Sequence, residues 1–165
     1  ALSALAIYAF AYVFMNLGAF AVVTSFSNRT GSDALHSYNG LARRSPYLAW
    51  AWAFFALSLV GLPPTAGFLG KAYIIMAAWD AGATWNSPMF WLLVVLVLNS
   101  AISLAYYMGV AGRMFFKPPA HDDPVPVGGG VGTAIGLCLA GTLLMVLAAG
   151  PIIGAIQNGA VFALR

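Results

Sequence analysis

The sequence predicts an all-α, polytopic transmembrane helical bundle of four spans, the second broken at Pro63-Pro64, and three observations carry that prediction. The chain is 62% hydrophobic and 7% charged, with no glutamate, too few polar residues to cover a water-soluble globule of 165 residues. Its apolar residues gather into four runs, each long enough to cross a hydrocarbon core of about 30 Å. All the basic residues except Lys71 lie in loops or near segment ends, so the net charge of +3 reports orientation in a lipid bilayer rather than nucleic-acid binding. No basic patch is interleaved with aromatic residues, and no nucleic-acid partner is expected.

Residues 1–26 form the first predicted transmembrane helix. Tyr8, Tyr12 and Asn16 recur every fourth residue on one face, while Gly18 and Ala19 offer a place for close helix contact. The stripe reads either as buried polar packing or as one wall of a water-lined path. Ala1 opens directly in an apolar run with no initiator Met, basic n-region or cleavage site, unlike a signal peptide, and the chain is expected to be the tail of something longer.

Residues 27–45 change character: Asn28, Arg29, Gly31, Ser32, Asp33, His36 and Asn39 make a polar loop closed by Arg43-Arg44-Ser45-Pro46. Proline suits the first turn of a helix, so Pro46 opens the next one. His36 reads as a surface residue.

Residues 46–80 are predicted as a discontinuous transmembrane helix. The run from 47 to 79 would be about 50 Å long if straight, too long for one simple crossing. Pro63 and Pro64 resolve the excess, because proline removes a backbone donor and clashes with the carbonyl four residues earlier. They divide the run into half-helices of about 47–61 and 65–79.

Trp79-Asp80-Ala81-Gly82 ends the second half, and Asn86-Ser87-Pro88 opens a third crossing over 88–116. Asn99, Ser103 and Tyr106 fall on one face of it at i, i+4 and i+7, with Arg113 and Lys117 at its far end. A polar, proline-rich loop spans 117–127. His121, Asp122 and Asp123 lie together there, but three neighbours in a flexible loop rarely hold a metal, and no metal site is expected. The last span, 128–160, places Gly128, Gly132, Gly136 and Ala140 four apart as a small-residue face for packing, and Pro151 is expected to bend or end it. Cys138, alone in an apolar run, excludes an intrachain disulfide or a multi-cysteine cluster and is expected to be buried and inert.

Short basic loops stay on the cytoplasmic side of a membrane. Arg29, Arg43 and Arg44 therefore assign 27–45, and Arg113 and Lys117 assign 117–127, to the cytoplasm, with the turn near Asp80 outside.

Lys71 is the one charge within the hydrophobic spans. It lies about 13 Å along a helix from Asp80, and a side chain reaching about 6 Å cannot hydrate itself from there by snorkelling. Burial disfavours an ammonium ion, so a lysine at this depth can load and release a proton. It can also be structural, bonding to carbonyls released by the proline break, or contact an anion or lipid headgroup. Any titratable relay partner lies outside these four spans.

The stretch Leu57-Ser58-Leu59-Val60-Gly61-Leu62-Pro63-Pro64-Thr65-Ala66-Gly67-Phe68-Leu69-Gly70-Lys71 resembles the broken-helix signature of the antiporter-like subunits of respiratory complex I. Asn16-Leu17-Gly18-Ala19-Phe20-Ala21-Val22-Val23 and Tyr38-Asn39-Gly40-Leu41-Ala42-Arg43-Arg44-Ser45-Pro46 are similar to the N-type subunit of a bacterial NADH-quinone oxidoreductase. The resemblance implies the last four of fourteen transmembrane helices, in a proton-pumping translocase of the respiratory chain in a bacterial inner (plasma) membrane. It implies Lys71 as the proton carrier and Gly61, Pro63, Pro64, Gly67 and Gly70 as the break. Tyr8, Tyr12, Asn16, Ser58, Asn99, Ser103 and Tyr106 are then the candidate polar pathway.

The partners implied are other membrane subunits of complex I and the missing N-terminal helices of the same protein. The complex uses NADH and quinone, with no cofactor expected on this chain, which has no glycine-rich strand-to-helix loop. The M-type subunit carries a glutamate where Lys71 stands, which counts against that assignment. Multisubunit cation/proton antiporters share Pro-Pro-x-x-Gly-Phe-x-Gly-Lys and are the alternative, with a non-transporting structural subunit as the rival from another class.

Overall fold

The computed structural model describes residues 2–119 and 123–163. It is a bundle of helices: α1 (Leu2–Thr30), a 3-10 turn (Leu35–Tyr38), α2 (Leu41–Arg44), α3 (Pro46–Val60), α4 (Ala66–Asp80), α5 (Pro88–Phe116) and α6 (Gly129–Ala163). Tyr8–Thr30, Pro88–Phe116 and Gly129–Leu147 are long and apolar enough to cross a membrane, and α3 is a shorter apolar helix. The pair α3 and α4 meets at the proline break, each one residue from the bounds read in the sequence.

Three expectations are corrected. The first helix continues past residue 26 to Thr30, where the Thr30 hydroxyl donates to the Phe26 carbonyl (3.0 Å) and Gly31 closes the end with φ +67°. The segment 27–45 is not all loop, because the 3-10 turn and α2 order it. Helix α6 runs through Pro151 to Ala163, as transmembrane helices often tolerate proline. Cys138 is partly exposed rather than buried, packed against the edge of the core. His121 and Asp122 lie outside the described residues, as does Arg165.

With no hydrophobic force between helices in lipid, close packing holds such a bundle together. The main core is built from Val22, Phe26, Leu48, Phe55, Met114 and Ile135, with the Phe26 and Tyr38 rings stacked 4.2 Å apart. Gly18 is where α1 meets α3: a Cβ there would run into the Phe55 ring. On α6 the tight contact is Gly141, whose added Cβ would come 2.6 Å from the Phe14 ring, whereas Gly128, Gly132 and Gly136 have nothing nearer than 3.4 Å. The four-residue stripe of small residues is thus not the site of closest approach.

The two basic connections come together at one end. Gly40 N–H donates to the Arg113 carbonyl (3.0 Å), Val125 N–H to the Arg44 carbonyl (3.1 Å), and Arg44 Nε to the Asp123 carbonyl (3.0 Å). The turn after Asp80 lies at the other end of α4 and carries no basic residue.

Candidate functional site: a lysine at a broken helix

In an unbroken helix the N–H groups of residues 63 and 64 would bond the carbonyls of Leu59 and Val60. Both residues are proline and have no N–H. Lys71 fills the gap: its Nζ donates to Leu59 O (3.0 Å) and Val60 O (2.7 Å). One amine, a turn and a half into α4, replaces the two donors that the prolines removed from α3.

The other groups freed at the break also have partners. Gly61, in the left-handed region at φ +89°, caps α3 by donating to Leu57 O, a conformation that favours glycine. Thr65 caps α4, its Oγ1 accepting from Phe68 N–H (3.4 Å) and donating to Leu62 O (2.7 Å). Ser58 is fully buried; its hydroxyl donates to Met15 Sδ (2.7 Å) and accepts from Gly67 N–H (3.4 Å), tying α1, α3 and α4 at one point. Gly67 lies flat against the Ser58 carbonyl and Gly70 against the Tyr8 ring. The peptide bond between Pro63 and Pro64 is cis.

The third donor of Lys71 goes to Ser100 Oγ on α5 (2.9 Å), and Ser100 in turn donates to Leu96 O (2.9 Å). All three ammonium protons are therefore matched, and these three partners are uncharged. The amine borders a cavity of about 340 Å³ lined by Tyr8, Tyr12, Leu59, Leu96, Asn99, Ser103 and Tyr107. A second cavity of about 280 Å³ continues toward the basic end past Asn16, Tyr106, Tyr38 and Asp33, and shares Leu59 and Tyr107 with the first. At its loop end Tyr38 holds its proton above the ordinary phenol range, chiefly because it is buried and further because Asp33 and Tyr106 are near.

The structure thus gathers Tyr8, Tyr12, Asn99 and Ser103 around Lys71, and places Asn16 and Tyr106 in the adjoining cavity. Ser58 lies in the packed joint rather than on either cavity wall. Sequence reasoning missed Ser100 and Tyr107. With Ser103 they form an i, i+3, i+7 series on the face that also carries buried Val110 and Met114. The series Asn99, Ser103, Tyr106 lies to one side of it, with Tyr106 60% exposed.

Removing the Ser100 hydroxyl should leave one lysine donor unmatched. Ser100→Ala is expected to lower stability by about 1 kcal/mol, the worth of one hydrogen bond, with thermal unfolding as the measure.

A family model described as NADH:quinone oxidoreductase/Mrp antiporter, transmembrane, matches residues 1–103, a range that holds the break, Lys71 and Ser100. NADH-quinone oxidoreductase subunit N 2 of Sorangium cellulosum is 44% identical over 127 residues, covering 76% of this chain and 24% of that protein. Subunit N of Moorella thermoacetica is 38% identical over 155 residues, covering 93% of this chain and 31% of that one. Among solved structures, respiratory complex I from Thermus thermophilus with bound aureothin contains a chain that superposes with a TM-score of 0.72 at 33% identity, over 90% of this chain and 33% of that chain. The chain spans about a quarter to a third of the length of these relatives. It is an integral membrane protein, and its bacterial relatives support an inner-membrane location. The matched range is more than half of the chain and takes in the broken helix and Lys71: the chain belongs to the NADH:quinone oxidoreductase/Mrp antiporter transmembrane family.

Proposed function

We propose that this chain forms part of the proton path in the membrane arm of an NADH:quinone oxidoreductase, with Lys71 as an intramembrane proton carrier. NADH and quinone are handled by other subunits, and further helices of the same protein and neighbouring membrane subunits complete the path. The two basic connections, joined at one end, would face the cytoplasm, and α3 with α4 would together make the second of four crossings.

One observation carries the reading: Lys71 Nζ meets a hydroxyl as well as two carbonyls at a cavity wall. A carbonyl can only accept, so the two from Leu59 and Val60 suit either protonation state that leaves the nitrogen two donors. Ser100 can do more. While the lysine is charged, Ser100 accepts from Nζ and donates to Leu96 O. Once the proton leaves, the nitrogen has a lone pair, and Ser100 can rotate to donate to it. The amine then keeps three partners in both states, without moving a helix, while the tyrosines, Asn99 and Ser103 offer hydroxyl and amide groups that water can bridge in the cavity.

The test is electron-flow dependence in membrane vesicles holding the intact complex. Proton uptake is expected on NADH addition and should stop when quinone reduction is blocked. Exchange of Na⁺ for H⁺ without NADH would instead establish the cation/proton antiporter reading.

A further inference from the structure

The basic end holds a second polar feature that the proton path does not use. A cavity of about 620 Å³ lies between the end of α1, the loop before α3 and the segment leading into α6, and Arg29, His36 and Arg44 border it. Ser32 and Ser37 add hydroxyls 2.9 Å apart. Asp123 is the opposing charge on the wall, but Arg44 Nε bonds its backbone carbonyl rather than its carboxylate. Basic groups outnumber acidic ones among the described lining residues.

Beside this cavity, one step deeper along the bundle, runs an apolar groove of about 410 Å³ between α3 and α6, lined by Pro46, Tyr47, Trp50, Ala51, Phe54 and Leu139. Trp50 is 66% exposed there. The two features share no lining residue, but their residues are neighbours along the chain and at α6. Arg44 precedes Pro46 by two residues, the Arg29 guanidinium lies beside Gly128 at the start of α6, and Tyr47 Oη donates to Gly132 O (2.9 Å). From Gly128 to Gly136, where the Tyr47 hydroxyl also rests, the rise is about 12 Å. That is the reach from a phosphate to the upper part of an acyl chain.

We infer that cavity and groove together bind one anionic phospholipid, its phosphate between Arg29 and Arg44 and an acyl chain along Trp50 and Phe54. A basic cavity between spans at the level of the membrane surface fits an anionic headgroup, and tyrosine and tryptophan suit the interfacial zone beneath it. The positive charge selects the headgroup. The groove explains why a free anion would use only half the site.

The test uses the full protein in its complex and phosphatidylglycerol carrying a photoreactive acyl chain, with adducts mapped by peptide mass spectrometry. Labelling is expected on the segment holding Trp50. Unlabelled phosphatidylglycerol should compete better than phosphatidylcholine, and inorganic phosphate should not compete. Arg29→Gln should weaken the phosphatidylglycerol preference about fivefold, the worth of one basic residue near an anionic lipid. Trp50→Ala should weaken both lipids alike. Equal competition by the two lipids, an unchanged preference in Arg29→Gln, or a neighbouring polypeptide rather than lipid against Trp50 would overturn the assignment.

Discussion

Lys71→Arg is expected to give a complex that assembles normally and fails to pump through this station. A guanidinium can still donate to the carbonyls of Leu59 and Val60, which the prolines leave without backbone donors, so the joint between α3 and α4 survives. It does not release its proton at accessible pH. Proton transfer at this point should therefore slow by about a hundredfold or more, the usual scale for losing a positioned acid-base group. The readout is the ratio of protons moved to electrons transferred in vesicles, with assembly checked on native gels. Normal stoichiometry in an assembled Lys71→Arg complex would leave the lysine a purely structural bridge. Lys71→Met is the less informative variant, because it also strands two carbonyls at about 1–3 kcal/mol each.

Gly67→Ala should be the most damaging single methyl in the break. A Cβ at this position collides with the carbonyl carbon and oxygen of Ser58, which are backbone and cannot rotate away. Either α4 moves off α3, which pulls Lys71 from its acceptors, or the Ser58 hydroxyl loses Met15 and Gly67. The expected loss is about 3 kcal/mol, the upper part of the usual range for overpacking. At Gly70 the added Cβ comes 2.6 Å from the edge of the Tyr8 ring and 3.2 and 3.3 Å from Tyr8 Cβ and Cα. The ring can turn and the other two contacts need only a few tenths of an ångström, so Gly70→Ala should cost about 1 kcal/mol. Thermal unfolding of the purified complex ranks the two. Equal loss would mean that the contact between α3 and α4 is more compliant than its backbone-to-backbone character implies.

How much of this was legible in the sequence depended on whether the signal was local. Two adjacent prolines and one charge in an apolar run mark the break and its lysine without any knowledge of neighbours, and the bounds of α3 and α4 came within one residue. That the amine would answer the carbonyls of Leu59 and Val60 follows from helix arithmetic once the two halves are known to fold back on each other. Ser100 was not legible, because periodicity gives a face but not the rotation that turns it toward another helix. On α6, periodicity picked out a face of small residues but not Gly141, the one that Phe14 packs against. In the polar segment 27–45, the one-turn α2 has too few residues to show a period, and its order comes from bonds to Arg113 and Val125 far along the chain.

The buried residues of helix α4 lie near its start on this chain. Ala66, Gly67 and Gly70 are its buried residues, and every residue from Lys71 to Asp80 is partly or fully exposed on this chain. The joint at Ser58 and Gly67 fixes the direction in which α4 leaves α3. Because Ser100 can serve the amine in either protonation state, a change of charge at Lys71 leaves that direction as it is. The place of the far turn near Asp80 is thus set by the joint and not by the charge.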